Sequence, residues 1–416
     1  MVLDNKKEQI RVLISNIYDL QKMRISVGNR LVQSIYLQMG VLPGMSPEAV
    51  KAALVKFYED GRDTTILERA IKGETERIVD EETGKSKTVK PPSVLDLLLK
   101  DYKRVTDMIS EPDSNVKTVK KAISTIAKSG DASGLNIIRD ENDIKLIESY
   151  TLLLKSEEES VKVLEKYVQE HPMWDAFFKD IKGCGPLMSG ICLAYLDPWK
   201  APHVSCFFRY AGVDVVQDMD KEGNKIFVTL DGNKRKVKQV FDDNGDYKYI
   251  DCETEEEYEG EVMASCHGRR KGDTEMQTYY IINDDGDKVL AVDKDGKPLL
   301  KNGITYNPKL KTKLMGVLTG CLLKAKDPTY SKIYYDLRMR YDNSPYYKDT
   351  SDAHKNMMAQ RYMVKEFLRA MWITWRRLEG LEVDEPYEVA KLGNRPHKYN
   401  EYQCKVAEET KNSKAV

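Results

Sequence analysis

The chain has 416 residues, 32% of them charged and 41% hydrophobic, with 66 Lys and Arg against 67 Asp and Glu. That length allows roughly two or three domains with a buried core. The near-neutral charge excludes a globally basic nucleic-acid binder, so any such binding needs cations gathered on one face. No apolar run is long enough to span a membrane, and the opening "MVLDNKKEQI" lacks the apolar centre of a secretion signal. The seven cysteines are scattered and form no CxxC pairs, which fits reduced thiols in a cytoplasmic protein. Cys184 and Cys192 read as small buried residues, and no metal site is expected.

Residues 8–39 contain no proline, and Ile10, Leu13, Ile17 and Leu20, then Val27, Leu31 and Ile35, recur at helical spacing. They predict a long amphipathic helix with Arg24 and Arg30 between the apolar positions, ended by Gly40, Pro43 and Gly44. Residues 47–110 read as shorter helices around a polar hairpin, 115–128 as a basic helix, and "SGDASG" as a loop. A second long helix is expected over 141–169, where Ile147, Tyr150, Leu154, Val161, Leu164 and Val168 form its stripe. Two such helices suggest an antiparallel stalk, folded back within one chain or paired with another copy, or plain core packing. Residues 181–213 are a compact low-charge centre. From 214 to about 303, "KEGNK", "LDGNK", "DDNGD", "DDGDK" and "DKDGK" punctuate β-branched stretches and predict a series of β-hairpins. The acidic "DMDKEG" and "DKDGKP" lack the closing Glu of a calcium loop and read as turns. Helical texture returns at 308–340 and 352–380, and "AEETKNSKAV" reads as a disordered tail. The fold class is therefore mainly α with a β-hairpin insertion. Its expected segments are 1–45, 46–140, 141–170, 171–213, 214–303, 304–397 and a tail at 398–416.

The stretch "IKGCGPLMSG" places Gly183 and Gly185 before Pro186, a residue suited to a first helical turn. Unpaired N–H groups at such a start attract anions, and Lys182 adds a charge. The spacing fits a helix-hairpin-helix grip on a nucleic-acid backbone, and equally an ordinary capped helix. In "HVSCFFRYAGV", Phe207 and Phe208 suit a core, Arg209 and Tyr210 suit phosphate or base contact, and His203 suits capping or contact. In "YNPKLKTKL", Asn307 is an expected N-cap, and Lys309 and Lys313 share a face with Lys311 opposite. Arg361, Lys365 and Arg369 fall four apart, facing away from Met363, Phe367, Met371 and Trp375. They predict an amphipathic helix with a basic outer face, extended by Arg376 and Arg377. A solvated charge run is the alternative for the lysines of "YNPKLKTKL".

The order "GxGPxxxxxxxAxL", "DP", "FxxYAGV" resembles the C-terminal domain of bridge-RNA-guided insertion-sequence transposases. It is also similar to the Nop RNA-binding domain of box C/D ribonucleoprotein scaffolds. The blocks "ITYNPKLKTKLMGVLTGCLLKAKDPTYSKIYYDLRMRY" and "HKNMMAQRYMVKEFLRAMWITWRRLEGLEV" fit the same domain, and "LQKMRISVGNRL" resembles the stalk before it. The resemblance spans roughly 8–40 and 140–397. The transposases carry a nuclease domain with a strand-borne Asp and converging carboxylates. This chain opens on a helix, and His171, His203, His267, His354 and His397 are dispersed, so no hydrolytic metal site is expected. The architecture is then closest to the nuclease-free Tas proteins (TasA type) of TIGR RNA-guided systems. The resemblance implies a Nop-like core and a homodimer that binds a structured small guide RNA and is directed to target DNA by base pairing. It implies no membrane, no cofactor besides the bound RNA, and no catalysis. Its implied RNA- or phosphate-binding residues are Arg24, Arg30, Lys182, Gly183, Gly185, Lys200, His203, Arg209, Tyr210, Arg269, Arg270, Lys271, Asn307, Lys309, Lys311, Lys313, Arg361, Lys365 and Arg369. Ser265 is the catalytic candidate of the alternative reading, a diverged serine recombinase with Arg269, Arg270 and Lys271 against the transition state. A ribonucleoprotein scaffold without a DNA target is a third.

Overall fold

A computed structural model describes residues 2–383, apart from 60–61, 80–85, 112–115, 129–135, 231–233, 242–245, 284–285 and 287. The "SGDASG" loop, several hairpin turns, the segment beyond 383 and the tail lie outside the described residues. Helix predominates, and the β structure is confined to small sheets. The chain forms two compact units, one of Val12–Val163 and one of Met1–Arg11 with the chain from Leu164 onward. The division passes through both long helices rather than at their ends.

The first unit takes its helices in chain order: α1 (Val2–Gln38), α2 (Pro47–Tyr58), α3 (Thr65–Lys72), α4 (Val94–Ser110), α5 (Val119–Lys128) and α6 (Glu141–Gln169). The hairpin β1 (Glu76–Val79) with β2 (Ser86–Val89) interrupts them where the polar hairpin is expected. Ser46 caps α2, and Ser93 with Asp96 forms a capping box on α4, which satisfies amides the first turns leave unpaired. Within this unit α1 and α6 run antiparallel. Gln38 donates to Asp143 (2.9 Å), Arg24 to Glu157 (2.6 Å) and Tyr150 (3.1 Å), and Asn16 to Ser160 (3.2 Å). The long helices are thus folded back on each other within one chain. Leu31, Ile35, Leu54, Leu67, Leu98, Ile137 and Ile147 are wholly buried in the unit's core.

The second unit continues with α7 (Pro186–Tyr195) and α8 (Val204–Tyr210). The β region follows as β3 (Val215–Gln217), β4 (Ile226–Thr229), β5 (Lys236–Phe241), β6 (Tyr247–Asp251), β7 (Glu257–Tyr258), β8 (Val262–Ala264), β9 (Cys266–Gly268), β10 (Thr274–Thr278), β11 (Tyr280–Ile282), β12 (Lys288–Leu290) and β13 (Leu300–Ile304). Helices α9 (Pro308–Thr312) and α10 (Thr319–Lys324), joined by a π-helical turn, precede α11 (Tyr330–Asn343) and α12 (Asp352–Leu378). Consecutive hairpins link β4 to β7, as the turn residues predict, but the insertion is nested rather than a simple series. β8 returns to pair with β4, completing a five-stranded antiparallel sheet, and β3 pairs with β9 beneath it as a stem. A second stem, β10 with β13, carries the β11–β12 hairpin. Both acidic loops are turns: Asp220 accepts from the amides of Glu222 and Asn224, and Asp293 from those of Asp295 and Lys297.

α12 is the core of this unit, packed on α8, α10 and α11. Met363, Val364, Phe367, Leu368 and Met371 are wholly buried, and Trp372 donates Nε1 to the Ala201 carbonyl (2.9 Å). The expected basic outer face of this helix is corrected here. Arg369 is only 6% exposed and lies 3.1 Å from the fully buried Glu366. Arg376 is also buried, donating to the carbonyls of Pro198 and Ala201. A helix covered nearly all round can hold cations only where carboxylates or carbonyls compensate them.

The "IKGCG" hairpin is likewise packed. Gly183 has φ +95°, and a Cβ there would stand 2.6 Å from the Cys321 carbonyl oxygen. The Lys182 amide donates to buried Asp327 (3.1 Å), whose other oxygen caps α11 through Thr329 and Tyr330. Cys184 and Cys192 are buried, and burial pushes the Cys184 thiol up to about 12 and Cys192 higher than usual. Gly185, by contrast, is the extended N-cap of α7 and faces open space. Gly183→Ala should therefore cost at least about 2 kcal/mol, from left-handed backbone strain plus overlap. Gly185→Ser should cost less than about 0.5 kcal/mol, because serine is a favoured N-cap. Urea unfolding of both variants checks the contrast.

Candidate nucleic-acid interface

Along β9 and its flanks, Ser265, His267 and Arg269 alternate with a period of two and so project from one side of the strand. Each meets a carboxylate. Ser265 Oγ donates to Asp218 Oδ2 (2.6 Å). His267 Nδ1 lies 2.6 Å from Asp218 Oδ1, and its Nε2 lies 3.0 Å from Asp273 Oδ1. Arg269 forks onto Asp214 with Nε and Nη2 (2.8–3.0 Å), donates Nη1 to Thr305 Oγ1 (2.6 Å) and lies 3.6 Å from Glu275. Its side chain is 8% exposed. Lys311 donates Nζ to the Arg269 carbonyl (2.6 Å) and sits 4.8 Å from the Tyr306 ring centre. The Arg361 guanidinium occupies the space a Cβ on Gly268 would need, so only glycine admits it there. Lys365 lies over the Phe208 ring, 5.6 Å from its centre.

These groups do not keep their ordinary acidities. Hydrogen bonding to Asp214 raises Arg269 against the cost of burial. Burial pushes Arg361 down, against Asp214 and Tyr341, and pushes Lys311 down with help from Arg361. Burial also lowers Lys313. The hydrogen bond to Asp273 raises His267 and outweighs desolvation, with Asp218 adding to it. Desolvation pushes Asp218 and Asp273 up, but the hydrogen bonds each receives hold both below the usual carboxylate range.

Beside this cluster opens a cleft of about 540 Å³ lined by Arg209, Tyr210, Glu275, Gln277, Tyr306 and Asn307, among others. Asn307 caps α9 by accepting from the Leu310 amide (3.1 Å), as the sequence predicts. Its Nδ2 donates to the Tyr210 hydroxyl (3.2 Å), and its backbone amide to the Tyr210 carbonyl (2.8 Å). Exposed Arg209 pairs with Glu275.

Of the sequence candidates, Arg209, Tyr210, Arg269, Asn307 and Lys311 meet at the cleft or directly behind it, and Arg361 packs behind Gly268. Arg270, Lys271 and Lys309 are exposed on the same elements. The others lie elsewhere. Arg24, paired with Glu157, and exposed Arg30 belong to the other unit. Lys182, Gly183 and Gly185 belong to the hairpin held by Asp327, and Lys200 is exposed on the loop held by Arg376. His203 stands exposed at the N-cap of α8, and Arg369 is in the core. Sequence reasoning missed Asp214, Asp218, His267, Asp273, Glu275 and Gln277. The period-two run Ser265, His267, Arg269 was the available signal. Among the described residues no group of His, Cys, Asp and Glu is arranged to hold a metal ion, and no helix is long and apolar enough to cross a membrane. Compared with family models, curated proteins and solved structures, the chain matches none.

The His267 latch carries a pH dependence. Its folded pKa is raised, so its stabilisation is complete below the ordinary imidazole value of about 6.5 and is lost as pH rises through the higher folded value. The lowered carboxylates contribute above about 3.9 and lose their contribution as pH falls through their folded values. NMR titration should place the His267 imidazole above the ordinary value in the native protein and lower in Asp273→Asn. Titration at the ordinary value in both would contradict the geometry.

Proposed function

We propose that the protein binds a structured small guide RNA and, without cutting, is directed to DNA by that RNA's base pairing. The observation that carries this reading is convergence. Arg209, Tyr210, Arg269, Asn307, Lys311 and Arg361 come from distant stretches of sequence and gather at or behind one cleft. Exposed Arg270, Lys271 and Lys309 stand on the elements around it, where they can meet phosphates. The blocks holding Arg209, Tyr210, Asn307, Lys311 and Arg361 carry the resemblance to the Nop-like and transposase domains, which supports RNA as the ligand. In this reading a homodimer presents the guide, base pairing supplies sequence specificity, and the protein contributes shape and charge.

One observation favours a second reading, serine recombination: Ser265 donates its hydroxyl to Asp218 beside a cluster of cations. Attack of Ser265 Oγ on a phosphodiester would pass its proton to Asp218, join serine to the phosphate and break the P–O bond to the leaving strand end, whose hydroxyl would take the proton back from Asp218. The lowered Asp218 pKa makes it a weak base, and Arg269 is committed to Asp214, so RNA holding is preferred. Ser265→Ala separates the two: strand exchange lost with RNA retained would establish the second reading.

Purification from the native locus should bring down a discrete small RNA. Its affinity should fall at least about 10-fold between roughly 50 and 200 mM salt, and DNA binding should require it. A preparation without a discrete RNA, or binding that is flat with salt, would overturn the reading.

A further inference from the structure

Resting on the reading above that the chain binds RNA, we infer that the cleft between the end of α8 and β10 holds a single unstacked nucleobase, with Tyr210 as its stacking platform and Gln277 on its edge. Tyr210 is 40% exposed although it belongs to the helix that supplies the buried Phe207. Its ring is held in that exposed position from two directions, by Asn307 Nδ2 at the hydroxyl and by the Asn307 amide at its backbone carbonyl. An aromatic face fixed before the ligand arrives gives up little freedom on binding, as a stacking platform requires. Asn307 is fixed in turn, because its Oδ1 caps α9.

The lining from β10 is polar and hydrogen-bonding. In the β10–β13 register Glu275 faces Gly303, and Gln277, two residues on, lies on the same face. Gln277 spends one N–H on the Gly303 carbonyl (3.3 Å), which orients the amide. The remaining N–H and the amide oxygen match the donor–acceptor edge of a base. Charge then separates base from phosphate as the occupant. Arg209 is paired with Glu275 at the rim, and Arg269 behind the wall is neutralised by Asp214, so the cleft itself is charge-balanced. A neutral flat group fits such a site, while the strand's phosphates fit the exposed Arg270, Lys271 and Lys309 nearby. A paired base cannot enter, so the cleft selects single-stranded segments of the RNA.

The test uses the full chain, a short oligouridylate carrying 4-thiouridine, and the same strand annealed to oligoadenylate. Photocrosslinks from the single strand should map to peptides holding Tyr210 or Gln277 and should vanish for the duplex. Tyr210→Ala should weaken single-strand binding about 10-fold and leave duplex binding unchanged, while Tyr210→Phe, which keeps the ring but loses the Asn307 contact, should weaken it less. Should Tyr210→Ala fail to fold, the wild-type crosslinks and Gln277→Ala decide the matter. Intact RNA binding with crosslinks only outside the cleft, or equal affinities for Tyr210→Ala and wild type, would overturn the inference and leave RNA binding standing. Failure of the wild type to bind either probe or its co-purified RNA would overturn both.

Discussion

The second unit depends on one buried ion pair. Arg269 leaves the first β stem, forks onto Asp214 at the start of that stem, reaches Thr305 after the second stem, and offers its carbonyl to Lys311 on α9. One residue thereby joins both stems of the insertion, through its guanidinium, and ties them to the helical core through its carbonyl. The bidentate geometry suits arginine and not lysine. Removing Asp214 strips the buried Arg269 guanidinium of its main counter-charge, a loss of up to about 3 kcal/mol because Glu275 stays nearby. The cleft walls come from the elements this contact aligns, so its shape follows from the pair.

The same contact bears on how a chain with 66 cationic and 67 acidic side chains could carry the proposed nucleic-acid face. Buried arginines are neutralised in place, Arg269 by Asp214 and Arg369 beside Glu366, and His267 sits half-buried between Asp218 and Asp273. They organise the structure. Arg270, Lys271 and Lys309 are exposed on the elements around the cleft, and it is their placement rather than their number that would suit a phosphate backbone. In "IKGCGPLMSG" the two glycines separate in the same way. Gly183 serves close packing against Cys321, and Gly185 begins a helix facing open space.

Local features were legible in the sequence. The long helices follow from their apolar spacing, the start of α7 from Pro186, the cap of α9 from Asn307, and the hairpin turns from their Gly and Asp residues. What was not legible depends on partners far along the chain. The spacing of Arg361, Lys365 and Arg369 predicts a stripe, but whether it faces solvent depends on what covers α12, and Glu366 beside Arg369 was the local sign of a buried pair. The nested pairing of β8 with β4 and β9 with β3 joins strands across the intervening hairpins. Gln277 carries no motif, and only the tertiary fold brings it and Tyr210 to one cleft.

Backbone hydrogen exchange of the full chain, with its co-purified RNA and after that RNA is removed, tests the central claim most directly. Bound RNA is predicted to slow exchange at 207–213, 269–277 and 304–311, the segments that line and support the cleft. It should leave the Asp327-held hairpin at 181–185 unchanged. Protection confined to other segments, with 207–213 and 269–277 exchanging equally in both states, would contradict the account.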